Sequence, residues 1–217
     1  MPSALRFLLV EDQQLMCDLL QTKLQMAFPG CEIVEKHMLA ELEALNPNEV
    51  FDLAIVDLQL PDGNAMTWVE RWTEQPPERR VLLVTGSDGD AILHRAFHSR
   101  VQGFVHKTDA SPSLISAIHA VLVGEIYFSN KIQQMRTRMR NDPHFFDKIF
   151  SDREQAVLPH FARGMRNEDI AELMGLTPIT VQDYRRRVMA KLNVHREAEL
   201  IRWANRMGFG RITDLSK

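Results

Sequence analysis

Asp57 is the first candidate for chemistry in this sequence, because its carboxylate directly follows the apolar segment 53–56. A short continuous apolar run of this kind predicts a strand that is buried on both faces of a parallel sheet. Ligands bind at the carboxyl ends of the strands in such sheets, which places Asp57 at a functional edge. Taken alone, the same pattern also fits a strand-end aspartate that caps the next helix.

Further polar side chains follow other apolar segments in the first half of the chain. Glu11 and Asp12 follow the first segment, and Thr85 and Lys107 follow two later ones. Three carboxylates in one cleft need a cation, and Mg²⁺ prefers hard oxygen ligands while keeping several waters. An ammonium and a hydroxyl beside them could stabilise a phosphoryl group on Asp57. The residue types therefore indicate Mg²⁺-assisted phosphoryl transfer.

Strands and helices must alternate to bring these side chains together. Strands are expected at 5–10, 31–35, 53–56, 80–84 and 103–105, and helices at 14–27, 38–45, 66–72, 91–97 and 111–124. This alternation predicts an α/β domain with a doubly wound, five-stranded parallel sheet of the flavodoxin-like type. The polar side chains would then meet at one edge of that sheet.

The remaining residues are expected to form a linker and a small all-α domain. Residues 125–150 are polar and are predicted to be a partly helical linker after a first domain of residues 1–124. A capping box at 151–154 begins the second domain, 151–217. Within it, the short turn at 175–177 joins two helices and predicts a helix-turn-helix.

Composition limits the class of protein. The chain has 217 residues and a net charge of −3, and residues 151–217 are basic, with 12 Lys and Arg against 9 Asp and Glu. A basic second domain suits a nucleic-acid partner. Two cysteines are too few for a disulfide framework, and no apolar run approaches the ~20 residues of a membrane helix. We therefore expect a cytoplasmic protein without membrane association.

Residues 5–124 resemble the receiver domain of two-component response regulators. The matching segments are Val10 to Asp12, Asp57 with Leu60 to Gly63, Val84 to Gly86, and Gly103 to Lys107. The resemblance implies that a sensor histidine kinase phosphorylates Asp57, and that Asp12 and Asp57 bind Mg²⁺, with Glu11 acting partly through water. It also implies that Thr85 and Lys107 contact the phosphoryl group and that Phe104 is an aromatic switch residue. Thr108 departs from the proline that often follows the lysine.

Residues 151–209 resemble the LuxR-type helix-turn-helix of the NarL/FixJ class of response regulators. The matching residues include Ser151 to Glu154, Gly164, Gly175 to Thr177, and Lys191 to Val194. The resemblance implies that 178–192 is a recognition helix in the major groove of promoter DNA. The candidate DNA-binding residues are Thr180, Gln182, Asp183, Arg185, Arg186, Arg187 and Lys191.

Two assignments in this second domain have alternatives. Gln182 could pair with adenine and Asp183 with cytosine, but Asp183 could equally form an intrahelical pair with Arg186 or Arg187. The last helix carries an apolar face that resembles the family's dimerisation surface and predicts a homodimer on activation. The same face could instead close the core of the domain. Its residues are Leu200, Ile201, Ala204 and Met207.

Other functions fit the residues less well. A phosphatase of the haloacid-dehalogenase type would need a second aspartate at position 59, where Gln59 stands. A flavin or nucleotide module would need a glycine-rich loop after the first strand rather than acidic residues. His94 and His98 are spaced for a metal but are predicted to be solvated. The sequence thus favours a non-enzymatic, phosphorylation-dependent transcriptional regulator, with a protein-interaction output as the alternative.

Overall fold

The computed structural model of the chain describes residues 4–76, 79–86, 89–109 and 111–212. The chain folds into two compact units. The first comprises residues 1–87 and 95–136, and the second comprises 88–94 and 137–217. Residues 125–136 of the predicted linker therefore belong to the first unit, and its remaining residues to the second.

In its described residues the first unit has eight strands, five at the predicted segments and three short ones that were not predicted. They are β1 (Arg6–Val10), β2 (Glu32–Lys36), β3 (Leu53–Val56), β4 (Gln59–Leu60), β5 (Gly63–Asn64), β6 (Val81–Thr85), β7 (Gly103–His106) and β8 (Tyr127–Phe128). Six of them form a parallel sheet in the order β2-β1-β3-β6-β7-β8, and β4 and β5 pair separately as an antiparallel hairpin. The α/β fold class is confirmed.

The sheet has one strand more than the five predicted. The additional strand is β8, which pairs with Gly103 and Phe104 of β7 and lies in the segment predicted as linker. Two residues are too few to show strand periodicity in a sequence, so this strand can be recognised only from its partner. The correction moves the end of the first unit beyond residue 124.

Helices alternate with and follow these strands along the chain. They are α1 (Gln14–Ala27), α2 (Leu39–Glu43), α3 (Met66–Glu74), α4 (Asp90–Phe97) and α5 (Ser111–Leu122), followed by α6 (Asn130–Asn141). Residues 90–94 of α4 and 137–141 of α6 belong to the second unit. Side chains of α1 and α5 pack on alternate residues of the strands, such as Phe7, Ile55 and Leu82. β3 is buried along its whole length, as its apolar sequence predicts.

The part of the second unit that follows α6 in the chain consists of helices and a 3₁₀ turn. Its helices are α7 (Phe146–Ile149), α8 (Asp152–Ala162), α9 (Asn167–Met174), α10 (Pro178–Leu192) and α11 (Glu197–Arg206), with a final 3₁₀ turn at Phe209–Arg211. The rings of Phe150 and Phe209 lie 5.7 and 6.0 Å from that of Trp203. These aromatic contacts explain why the end of the predicted linker joins this unit.

Local signals set the ends of these helices. Ser151 and Glu154 form the predicted capping box at the start of α8. The Thr177 hydroxyl accepts a hydrogen bond from the Thr180 amide at the start of α10. Gly175 and Asn193 adopt left-handed conformations with φ of 64° and 52° and end α9 and α10. No helix of the described segments is long and apolar enough to cross a membrane.

Candidate functional sites

The acidic edge lies at the carboxyl ends of β1, β3 and β7. Carboxylate oxygens of Glu11, Asp12 and Asp57 lie within 4.8 Å of one another. The ammonium of Lys107 is 2.7 Å from Asp57 Oδ2 and 2.7 Å from Glu11 Oε2. The structure thus brings together the four charged residues that the sequence placed at this edge.

Burial makes the negative charge at this edge costly. Glu11 and Asp57 are both buried, and burial raises the pKa of each carboxyl group although Lys107 opposes the effect. Burial would also lower the pKa of Lys107, but its hydrogen bonds to Asp57 and Glu11 outweigh this and raise that pKa. One ammonium against three carboxylates leaves an excess of negative charge, which a divalent cation would offset.

The donor set fits Mg²⁺. Glu11, Asp12 and Asp57 offer carboxylate oxygens, and Asp12 is exposed, so water can reach the cluster. His94 and His98 join no group of three metal-ligating side chains among the residues that the structure describes. The acidic edge is therefore the best candidate for a cation site in the described part of the chain.

Thr85 and Phe104 lie beside this edge. Thr85 ends β6, is fully buried, and its carbonyl accepts a hydrogen bond from the Lys107 amide at 2.8 Å. Phe104 is buried in β7, and its ring lies 5.7 Å from that of Phe97. Phe97 also forms an edge contact with Phe128 in β8. A movement of the Phe104 ring would therefore disturb a chain of aromatic contacts that ends in the additional strand.

Three contacts at this edge could not be read from the sequence. The Gln59 amide donates to Asp57 Oδ1 at 3.1 Å, and the ring of His37 lies 2.8 Å from the Glu11 carbonyl oxygen. Asp62 accepts hydrogen bonds from the amides of Leu39 and Ala40 at the start of α2. The loop after Asp57 is therefore tied to the preceding helix, α2, by a carboxylate whose sequence context indicated only a turn.

Four predicted DNA-binding residues lie on the surface of α10. Gln182, Arg186 and Arg187 are exposed, and Asp183 is partly exposed. The Arg186 guanidinium is 2.9 Å from Asp183 Oδ1, so the chain alone adopts the intrahelical pair. The Thr180 hydroxyl lies 2.8 Å from the Thr177 hydroxyl at the helix start. This surface is therefore polar, with one acidic and two basic side chains.

Arg185 does not lie on this surface, which corrects its assignment as a phosphate contact. It is 8% exposed, and its guanidinium donates to Asn167 Oδ1 at 3.0 Å and to the Met165 carbonyl at 2.8 Å. It also pairs with Glu197 and stacks over the ring of Phe161 at 4.3 Å. These contacts join α8, α9, α10 and α11, so Arg185 holds the domain together.

Lys191, a predicted DNA-binding residue, forms a salt bridge within the helical unit. Its ammonium lies 2.6 Å from Glu154 Oε2, and Glu154, in the capping box of α8, is only 3% exposed. Although burial alone would raise the pKa of Glu154, hydrogen bonds from Lys191 and Ser151 outweigh it and hold the pKa below its usual value. The charge of Lys191 is therefore partly neutralised before any phosphate approaches.

We expect Glu154→Gln to lower the free energy of unfolding at neutral pH by about 1–2 kcal/mol, because charged hydrogen bonds to Lys191 and Ser151 are lost. A carboxyl whose pKa is lowered on folding stabilises the native state above its unfolded pKa, and this contribution disappears as pH falls through the folded value. Urea titrations between pH 3 and 7 should therefore show a shallower acid-side loss in the variant. An unchanged acid-side slope would contradict this role.

The predicted dimerisation face is largely internal. Leu200 and Ala204 are fully buried in the described structure, while Ile201 and Met207 are partly exposed. Two of the four residues therefore close the core of the helical module and cannot contact a second copy. This result favours the alternative reading of the face, and corrects the assignment of Leu200 and Ala204.

Comparisons with known proteins agree with this geometry. Residues 7–119 match the family model of the response regulator receiver domain, and residues 148–204 match that of bacterial regulatory proteins of the luxR family. The chain is 31% identical over 166 residues to the oxygen regulatory protein NreC of Staphylococcus epidermidis, covering 70% of this chain and 75% of NreC. It is 33% identical over 158 residues to BvgA of Bordetella pertussis, covering 71% and 75%.

A solved structure supports the fold. RcsB from Salmonella enterica serovar Typhimurium, bound to promoter P1flhDC in the presence of the phosphomimetic BeF3-, superposes with a TM-score of 0.65. The identity is 20%, and the match covers 94% of this chain and 99% of RcsB. The chain therefore belongs to the two-component response regulators of the NarL/FixJ class, in which a receiver domain is followed by a LuxR-type DNA-binding domain.

Proposed function

We propose that Asp57 accepts a phosphoryl group from a sensor histidine kinase and that this event controls binding of the helical domain to promoter DNA as a homodimer. The observation that supports the acceptor is the contact of one ammonium, Lys107, with both Asp57 and Glu11. Bound Mg²⁺, held by Glu11, Asp12 and Asp57, would supply the charge that neutralises phosphoryl oxygens. A protein that binds the chromosome in this way would work in the cytoplasm.

The transfer forms one bond and breaks one. A carboxylate oxygen of Asp57 attacks phosphorus, the phosphorus–nitrogen bond of the kinase phosphohistidine breaks, and the imidazole keeps the electron pair. Lys107 is placed to hold negative charge on the phosphoryl group, and the buried Thr85 side chain at the end of β6 is predicted to bind it. The chain itself supplies position and charge rather than a further nucleophile, so it acts as a regulator and not as a typical enzyme.

The proposed switch requires differential contacts in the phosphorylated state. Changing a two-state equilibrium from 1:99 to 99:1 takes about 5.5 kcal/mol. New hydrogen bonds from Thr85 and Lys107 to the phosphoryl group are the contacts that this site offers, and Phe104 lies where a change in packing would follow. The rival function, a protein-interaction output, would use the same receiver without DNA.

Binding of the full chain to fragments of its source genome tests this function. We expect a small phosphodonor with Mg²⁺ to lower the apparent Kd at least about tenfold, a change well within the range of such couplings. Thr85→Ala should be phosphorylated but lose most of this gain, while Thr85→Ser, which keeps the hydroxyl, should retain it. Thr22→Ala, an exposed threonine of α1, is the control. Equal affinity with and without complete phosphorylation would refute the coupling.

A further inference from the structure

Ile179 is a large apolar side chain that the fold leaves in water. It occupies the second position of α10 and is 71% exposed. Isoleucine has a lower helix propensity than glutamine, lysine or arginine, so local structure does not explain its presence there. The helix before it carries another exposed apolar residue, Leu173, which is 54% exposed on α9. The two residues differ in position, since only Ile179 lies on the predicted recognition helix.

The position of Ile179 on α10 indicates which kind of partner this side chain would contact. Ile179, Gln182, Asp183 and Arg186 follow each other at helical spacing and share one face of the helix. The other three side chains are polar, and a glutamine, an aspartate and an arginine can each hydrogen-bond to base edges. The first turn of a recognition helix is the part that reaches the bases in the major groove. Ile179 is thus the apolar member of a base-reading face.

The major groove offers one apolar group. Adenine, guanine and cytosine present hydrogen-bond donors and acceptors there, whereas thymine also presents its 5-methyl group. We propose that Ile179 contacts the 5-methyl group of a thymine and makes the chain specific for that base at one position of each half-site. This inference rests on the DNA-binding function proposed above. It adds a residue that the charges and hydrogen-bonding groups of the helix do not reveal.

Replacement of thymine by deoxyuridine tests the contact without changing any hydrogen bond. The probe is a duplex that the full-length chain selects from a random pool, with each thymine replaced in turn by deoxyuridine. We expect a loss of about fourfold in affinity at one thymine of each half-site, which is the equilibrium factor for one methyl-sized group removed from water. Ile179→Ala should bind the thymine duplex and the deoxyuridine duplex with equal affinity. Ile179→Val should keep part of the difference in affinity between them.

Matched variants separate the possible outcomes. Leu173→Ala removes an exposed apolar side chain from α9 and should keep the full deoxyuridine effect. A flat deoxyuridine scan with the original chain would overturn the assignment of Ile179 while leaving DNA binding intact. An unchanged deoxyuridine effect in Ile179→Ala would also overturn it, because another side chain would then contact the methyl group. If the pool yields no bound duplex, the DNA-binding function itself fails.

Discussion

Asp57→Asn should abolish phosphorylation of the chain by a small phosphodonor in the presence of Mg²⁺. The original protein should gain one acid-stable, base-labile phosphoryl group, because an acyl phosphate forms at a carboxylate and not at an amide. The variant should remain folded, since asparagine keeps an oxygen near the Lys107 ammonium and removes a charge whose burial is costly. Intact-mass spectrometry before and after mild base gives the measurement.

Asp52 offers a matched control for this experiment. It precedes β3, whereas Asp57 follows it, so the two aspartates lie at opposite ends of one strand. The Asp52 carboxylate accepts a hydrogen bond from the Arg6 amide at 2.7 Å and has no role at the acidic edge. Asp52→Asn should be phosphorylated normally. Full labelling of Asp57→Asn, or loss of labelling in Asp52→Asn alone, would show that the acceptor lies elsewhere.

Arg185→Ala should affect stability and Arg186→Ala should affect DNA binding, although the two residues are adjacent. We expect Arg185→Ala to lower the stability of the helical unit by about 2–4 kcal/mol. It removes hydrogen bonds to Asn167 and Met165 and leaves their oxygens without that donor. It also removes the stacking of the guanidinium on Phe161. Arg185→Lys should recover little, because an ammonium lacks the planar fork that reaches several acceptors.

Arg186→Ala should change stability by less than about 0.5 kcal/mol, because the side chain is exposed and its pair with Asp183 lies on the helix surface. Its effect should appear in DNA binding instead. Loss of one phosphate contact lowers the slope of log K against log salt by about one, for all sequences, whereas loss of a base contact costs ~1–3 kcal/mol at one position.

Hydrogen exchange of α8 to α11 and binding titrations at several salt concentrations measure the two effects separately. Faster exchange across these helices is expected for Arg185→Ala and not for Arg186→Ala. If Arg185→Ala exchanged normally and weakened binding alone, Arg185 would contact DNA and would not hold the four helices together.

These arginines also show what the sequence could not predict, namely which arginine of the run is buried. Arg185, Arg186 and Arg187 are identical residues in one run of the predicted recognition helix, so all three were candidates for phosphate contacts. Successive residues of a helix point about 100° apart, so adjacent arginines must face different surroundings. Which of them points inward depends on Asn167 and Phe161, which precede it by 18 and 24 positions in the chain. No local pattern contains that information.

The acidic edge was predictable for the opposite reason. Each of its residues lies within two positions of the end of a strand that is apolar enough to be recognised, and parallel strands bring their carboxyl ends to one side. The geometry of Glu11, Asp57 and Lys107 then follows from the alternation of elements. No such rule predicts the additional strand Tyr127–Phe128. None predicts which half of the α11 face is buried. A two-residue strand shows no period, and an apolar face does not say what covers it.

If α10 reads DNA as proposed, the length of its base-reading face limits how much sequence information the protein can take from DNA. From Ile179 to Arg186 the helix rises about 10 Å, which matches roughly three base pairs at 3.4 Å each. A site of three base pairs occurs by chance about once in 64 positions, and two such half-sites together about once in 4,000. A bacterial genome of some millions of positions would therefore hold on the order of a thousand chance matches. Direct reading by this face cannot single out a promoter, so shape and flexibility of the flanking DNA, or neighbouring bound copies, must supply the remaining discrimination.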